Sequence, residues 1–309
     1  MIGVSWKFSL GGGDVVIHSM PPESQGLSPA MGVISETVCA FSRKNPFGYK
    51  AIAMSSLGIA FVGFFAWGHH MFVSGQSPFD NGAFAAISML VGVFTAIKVF
   101  NWVGTLYKGR VRFSTPFAYF CGFIYLLVFG GMTGIAVATV SLDVHWHDTY
   151  FVVAHFHFIM VGAVIMGFLI AIHYWFPKMF GRKYHEGWGM VAASFIVLGF
   201  IATFIPQFLA GNAGMPRRYY MYPERFEALN VASTAGASLL AIGFVIVLIY
   251  LIYALVRGPI AGDNPWDSGG IEWMTSSPPP KENFHVIPVI DRDPHSYQKR
   301  GEEVEHVVI

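Results

Sequence analysis

Two histidine pairs carry much of the chemical potential of this sequence. His155 and His157 lie in HDTYFVVAHFHF, residues 147–158. Each helical residue turns about 100°, so side chains at i and i+2 point about 200° apart. Such a pair does not easily serve one metal; it could serve two centres on opposite sides of its helix. Hydrogen-bonded core histidines are the plain structural alternative. His69 and His70 are adjacent, in WGHHMF. Adjacent imidazoles can converge on one ion where the last turn of a helix loosens, and imidazole suits copper and iron. The competing reading is an interfacial pair at headgroup level.

Two further groups follow. Lys98, in FTAIKVFNW with Thr95 one turn before it, falls near the middle of an apolar stretch. A lysine so placed could snorkel, but it is about equally far from both surfaces, and a proton path suits it better. The last group combines Asp143, His147 and Asp148 with Arg217 and Arg218 of GMPRRYY. A histidine beside a carboxylate can bind a divalent cation, and adjacent guanidinium forks suit carboxylates.

The elements that must position these residues are apolar helices. The chain is 54% hydrophobic and 12% charged, against about 25% charged in soluble domains, which argues against a large soluble enzyme. A net charge of +1 gives no case for nucleic acid. A spanning helix needs about 20 apolar residues. Six such stretches are legible, at about 51–72, 82–106, 116–140, 149–176, 187–209 and 228–256, with a shorter apolar piece near 29–41. The expected fold class is therefore an all-α integral membrane protein with six transmembrane helices and the remnant of a preceding one. Three segments are expected: unassigned residues 1–28, a membrane domain over 29–257, and a polar, proline-containing tail over 258–309, extended at the membrane surface. Glycines and prolines near the start argue against a cleavable signal peptide. Cys39 and Cys121 read as buried thiols.

Lys and Arg alternate between loops. They flank the first span at Arg43, Lys44 and Lys50, follow the second at Lys108, Arg110 and Arg112, and follow the fourth at Lys178, Arg182 and Lys183; Arg257 follows the sixth. The positive-inside rule puts these loops and the C-terminal tail on the cytoplasmic side. Arg217, Arg218 and Arg225 break the pattern, which points to a buried functional role for the first two. The histidine pairs then share a depth in the outer part of the membrane.

WGHHMF, AIKVFNW, SLDVHWHDTYFVVAHFHF and GMPRRYY occur in an order and spacing that resemble the haem–copper oxidase superfamily, and within it the C-terminal half of subunit I of bacterial aa3-like cytochrome c oxidases, a twelve-helix fold. The resemblance runs from about residue 28 to beyond 285. It implies that His69 and His70 are two of three ligands of the copper called CuB. It makes His155 the ligand of the high-spin haem and His157 one of two ligands of the low-spin haem, both haem A. His147 and Asp148 would bind magnesium, Arg217 and Arg218 would hold haem propionates, and Lys98 with Thr95 would belong to a proton channel. The implied activity is oxidation of cytochrome c and reduction of O2 to water, coupled to proton translocation, with subunits II and III as partners in a lipid-embedded, multi-pass complex of the cell inner membrane.

The sequence also departs from that pattern. Phe94 stands where proline is common, and Met221 where an acidic or small polar residue is usual. GGGDVVIHSMPPESQGLS occupies the place of the motif expected to supply the third copper histidine. The second low-spin haem ligand belongs to the first six spans. Three alternatives follow: a quinol oxidase of the same superfamily, a truncated or frameshifted and catalytically silent fragment, and one half of a split subunit.

Overall fold

The computed structural model describes residues 6–10, 13–17, 22–284 and 287–289, with side chains at residue 27 and from residue 29 onward. The rest of the expected N-terminal segment and of the tail lies outside the described residues. Within the segment left unassigned from the sequence, β1 (Trp6–Leu10) and β2 (Gly13–Ile17) pair antiparallel, with Trp6 opposite Ile17. α1 (Pro22–Ser42) starts earlier than the apolar piece near 29–41 suggested. Proline with its fixed φ suits a first helical position.

Six spans follow, each within a few residues of its expected place. They are Tyr49–Met71, Pro78–Leu106, Thr115–Val137, Tyr150–Phe180, Glu186–Asn212 and Glu224–Arg257. The first combines α2 (Tyr49–Phe65) with a 3-10 turn, Ala66–Met71. α3 is Pro78–Leu106 and α4 is Thr115–Ala138. α5 (Val140–Trp146) is a short connector. The fourth span is not one regular helix: α6 (Tyr150–Phe156) passes into a π segment, His157–Ala163, and then into α7 (Val164–Phe180). A π segment widens the turn, which a count of apolar residues does not reveal. α8 (Glu186–Asn212) and α9 (Glu227–Arg257) complete the bundle.

Local chemistry fixes the ends. Ser77 caps α3, its hydroxyl oxygen accepting from Asp80 N at 3.1 Å, with Pro78 just inside. Glu186 reaches across from α8 to cap α4, accepting from Thr115 N at 2.8 Å and from Thr115 Oγ1 at 2.6 Å. Inside a bilayer, close packing and interhelical hydrogen bonds hold helices together. α8 and α9 meet through glycines, and a Cβ on Gly199 would lie 2.4 Å from Leu240 N. Trp102, fully buried on α3, donates from Nε1 to Ser35 Oγ of α1 at 3.0 Å. The outer surface stays apolar, with Leu57, Phe61, Phe100, Met132 and Leu248 exposed. Cys39 is buried as expected, but Cys121 is exposed on α4, where a thiol is apolar enough to sit on a membrane-facing surface.

The basic loops gather at one end. Lys44 Nζ donates to Tyr107 O at 2.7 Å, and Arg110 N to Ser42 O at 2.9 Å. Arg182 donates to Gly258 O at 2.7 Å. The described part of the tail packs there and does not run extended along a surface. Trp266 and Trp273 are buried, and their indole N–H groups donate to Tyr174 O and Tyr174 Oη. Lys178 Nζ donates to Asp263 O, Thr275 O and Ser276 O. A buried indole and a buried ammonium both demand partners, and the tail supplies them.

Candidate functional site

The span that begins with α2 ends in the 3-10 turn that carries His69 and His70. Gly68 lets that turn approach α3: a Cβ there would meet the Phe84 ring at 2.5 Å. The two Nε2 atoms face each other at 3.1 Å, so the rings converge as their adjacency suggested. His69 Nδ1 lies 2.8 Å from Ser88 Oγ, whose own proton goes to Phe84 O at 2.7 Å. Ser88 must then accept from His69 Nδ1–H, which leaves His69 Nε2 with a bare lone pair. That donor set fits a soft or borderline cation held between two imidazoles.

His155 and His157 point to different helices. His155 faces α4, with Nδ1 3.1 Å from both Gly130 O and Thr133 Oγ1. Gly134 makes room for the ring; a Cβ there would lie 2.9 Å from its Cε1. His157 faces α8, where its ring stacks on Phe204 at 4.5 Å and 22°, and its Nδ1–H donates to Val153 O at 2.7 Å. The two rings thus meet different neighbouring helices. In both rings Nδ1 is held and Nε2 is left to coordinate, which fits axial ligation of iron. The imidazoles of His69, His70 and His155 are near enough to interact electrostatically, so the adjacent pair and His155 lie in the same part of the bundle. Among the described residues no group of three or more His, Cys, Asp or Glu converges as a metal site; the turn brings together two imidazoles, those of His69 and His70.

At the opposite end from the tail, GMPRR pairs with HDT. Thr149 and Pro216 form an antiparallel bridge, and Tyr150 N donates to Met215 O at 3.0 Å. Arg217 is committed to Asp148, with Nε 2.7 Å from Oδ1. Arg218, at φ 66°, is exposed and fits an anionic group better than Arg217 does. Partial burial pushes the Asp148 carboxyl up, but Arg217, His147 and Arg218 outweigh it and hold it below the usual carboxylate range. Burial lifts the Asp143 carboxyl above its usual range against the pull of His147. His147 stands between the two, 3.6 Å from Asp143 Oδ2 and 3.5 Å from Asp148 Oδ2. Magnesium prefers about six oxygens in a tight octahedron. Two carboxylates on opposite edges of one imidazole, one of them bonded to Arg217, do not make that site.

Lys98 is 3% exposed, on the α3 stripe that also buries Asn101, Trp102 and Thr105. Among the described residues its ammonium has no hydrogen-bond or ion-pair partner. Thr95 Oγ1 donates to its own helix, to Val91 O at 2.9 Å, and not toward Lys98.

Reading the sequence missed Ser88 and Thr133. Ser88 is 19 residues from His69 and gives no local signal. Thr133 sits in the small-residue run GGMTG, which hints at close approach to something bulky.

Residues 27–239 match the family described as Cytochrome C and Quinol oxidase polypeptide I. Cytochrome c oxidase subunit 1 of Thermostichus vulcanus is 41% identical over 302 residues, 96% of this chain and 55% of that protein. The Bacillus subtilis (strain 168) subunit is 41% identical over 265 residues, 85% of this chain and 43% of that one. A probable quinol oxidase subunit 1 of Staphylococcus haemolyticus is 41% identical over 267 residues, 84% of this chain and 40% of that one. A haem–copper terminal oxidase dimer solved by cryo-electron microscopy shares the fold, with TM-score 0.71 at 21% identity, over 78% of this chain and 48% of that one. The chain spans about half the length of the curated relatives it matches. With spans, order of motifs and family match in agreement, the chain belongs to the haem–copper oxidase subunit I family and corresponds to its C-terminal half.

Proposed function

We propose that this chain supplies the haem- and copper-binding helices of a terminal oxidase that oxidises cytochrome c, reduces O2 to water and moves protons across the cell inner membrane. The single observation that carries this reading is the convergence of the His69 and His70 imidazoles, with His155 held through Nδ1 against α4 and His157 turned to a different helix, α8. Haem A and copper, when bound, supply the electron transfer and the O2 chemistry. His69 and His70 would hold CuB, His155 the high-spin haem and His157 the low-spin haem. Rigid helices keep these imidazoles in fixed relation. Ser88 keeps His69 in the tautomer whose Nε2 can coordinate. Lys98, buried without a partner among the described residues, can take up a proton and release it; with Thr95 it would form part of the proton path. Arg218 would hold a propionate. Magnesium at His147 and Asp148 would require Asp148 to let go of Arg217.

The basic end would face the cytoplasm. Electrons would arrive through subunit II, with subunit III completing the complex. The donor is taken as cytochrome c because the acidic Asp148 follows His147 in a cytochrome c oxidase-like motif; quinol is the other donor used in the family. The assembled oxidase, purified from membranes that express this chain, tests both points. The expected result is absorption from both low- and high-spin haem A, with reduced cytochrome c oxidised faster than a quinol. A preparation without high-spin haem would reject the site, and faster quinol oxidation would reject the donor.

A further inference from the structure

The surroundings of His155 contain a hydroxyl oxygen contributed by the neighbouring helix. α4 presents Gly130, Thr133 and Gly134 to one edge of the imidazole. Thr133 Oγ1 lies 2.9 Å from Gly130 O and 3.1 Å from His155 Nδ1, and Nδ1 lies 3.1 Å from Gly130 O. These three distances form a closed triangle, and proton counting determines its direction. A hydroxyl has one proton. If Thr133 gave it to Nδ1, the bare nitrogen would face the carbonyl oxygen lone pair against lone pair. The consistent arrangement has Thr133 donating to Gly130 O and His155 Nδ1–H shared between two acceptors, Gly130 O and Thr133 Oγ1.

We infer that the Thr133 hydroxyl is a positioning and tuning residue for His155, setting how strongly that imidazole donates to the group it holds. This inference rests on the reading of His155 as an iron ligand. Hydrogen bonds accepted from the distal N–H of a coordinating histidine raise its basicity and fix its ring. Thr133 acts in two opposed ways. It adds an acceptor for Nδ1–H, and it draws on Gly130 O, the other acceptor. Mutual polarisation in such chains changes a bond by roughly 10–30%. Loss of an entire acceptor is the larger effect, so removal of the hydroxyl weakens the imidazole as a donor. Gly134 lets the ring sit close against α4: a Cβ there would press on Cε1 at 2.9 Å.

The test uses the assembled oxidase carrying Thr133→Val or Thr133→Ser, with the iron–histidine stretching band of the reduced high-spin haem as readout. Valine keeps the shape and removes the hydroxyl; serine keeps the hydroxyl. The expected result is a downshifted band and a raised reduction potential in Thr133→Val, with Thr133→Ser at the unsubstituted position. An unshifted band in Thr133→Val overturns the inference. Equal shifts in both variants overturn it too, because the cause would be shape. If Thr133→Val does not assemble, a displaced band in Thr133→Ser is enough to reject it, and an undisplaced band supports it. A different failure, no iron–histidine band in the unsubstituted oxidase or one that survives His155→Ala, would instead remove the assignment of His155.

Discussion

Of the three histidines on the rod made by α6, the π segment and α7, His155 and His173 divide in the same way as the two buried lysines of the bundle, Lys98 and Lys178. His173, fully buried, uses both ring nitrogens: Nδ1–H donates to Leu169 O at 2.6 Å, and Nε2 accepts from Tyr250 Oη. His155, eighteen residues earlier, uses only Nδ1 among the described residues. Lys178 gives its ammonium to three tail carbonyls, whereas Lys98 gives its to none of the described residues. Burial alone therefore does not mark a functional group in this bundle. A satisfied polar group holds helices and tail together, and an unsatisfied one has capacity left for a metal or a proton. An unmet buried group costs about 1–3 kcal/mol, so it persists where something else compensates.

Substitutions can break this division, and the largest effect is expected at His155. His155→Ala in the assembled oxidase should remove high-spin haem absorption and oxygen consumption together; retained absorption would put His155 with His173. Next comes Lys98→Met, which should slow reduction of the high-spin centre by about 100-fold, the lower range for loss of a positioned proton carrier. Unchanged stopped-flow kinetics would make Lys98 a packing residue. His173→Leu is expected to cost about 1–3 kcal/mol of stability by stranding the Tyr250 hydroxyl, read as a lowered melting temperature with unaltered haem spectra. A changed spectrum would show that His173 is not purely structural. Ser88→Ala should weaken copper retention by about tenfold, as loss of a supporting hydrogen bond does, measured by metal content after chelator challenge. The smallest effect is expected for Arg217→Gln. Its ion pair with Asp148 is open to solvent on the carboxylate side and is worth less than about 1 kcal/mol. A larger loss of thermal stability would mean that Arg217 also holds something else.

Much of this was legible in the residues. Six apolar stretches of about 20 residues gave six spans, because a bilayer imposes that length. The different neighbouring helices of His155 and His157 followed from 100° per residue, and the convergence of His69 with His70 from their adjacency at a helix end. What escaped is what depends on distant partners. Ser88 and Thr133 set tautomers from other helices. The tail docks because Trp266, Trp273 and Lys178 need partners, which its polar composition concealed. Arg217 pairs with Asp148 across 69 residues, which no local motif announces. The hairpin of β1 and β2 is too short for its alternation to stand out.

The π segment at His157–Ala163 acts as a phase adjuster. It begins at His157, two residues after His155, and ends ten residues before the saturated His173. Widening one turn shifts the angular phase of everything downstream by a fraction of a turn. Deleting one residue within it would restore a uniform helix but rotate α7 by about 100° relative to α6. His155 could then keep its seat against α4 only if His173 swung away from Tyr250. The two ends of this rod answer to different neighbours, and the π segment lets one continuous helix satisfy both.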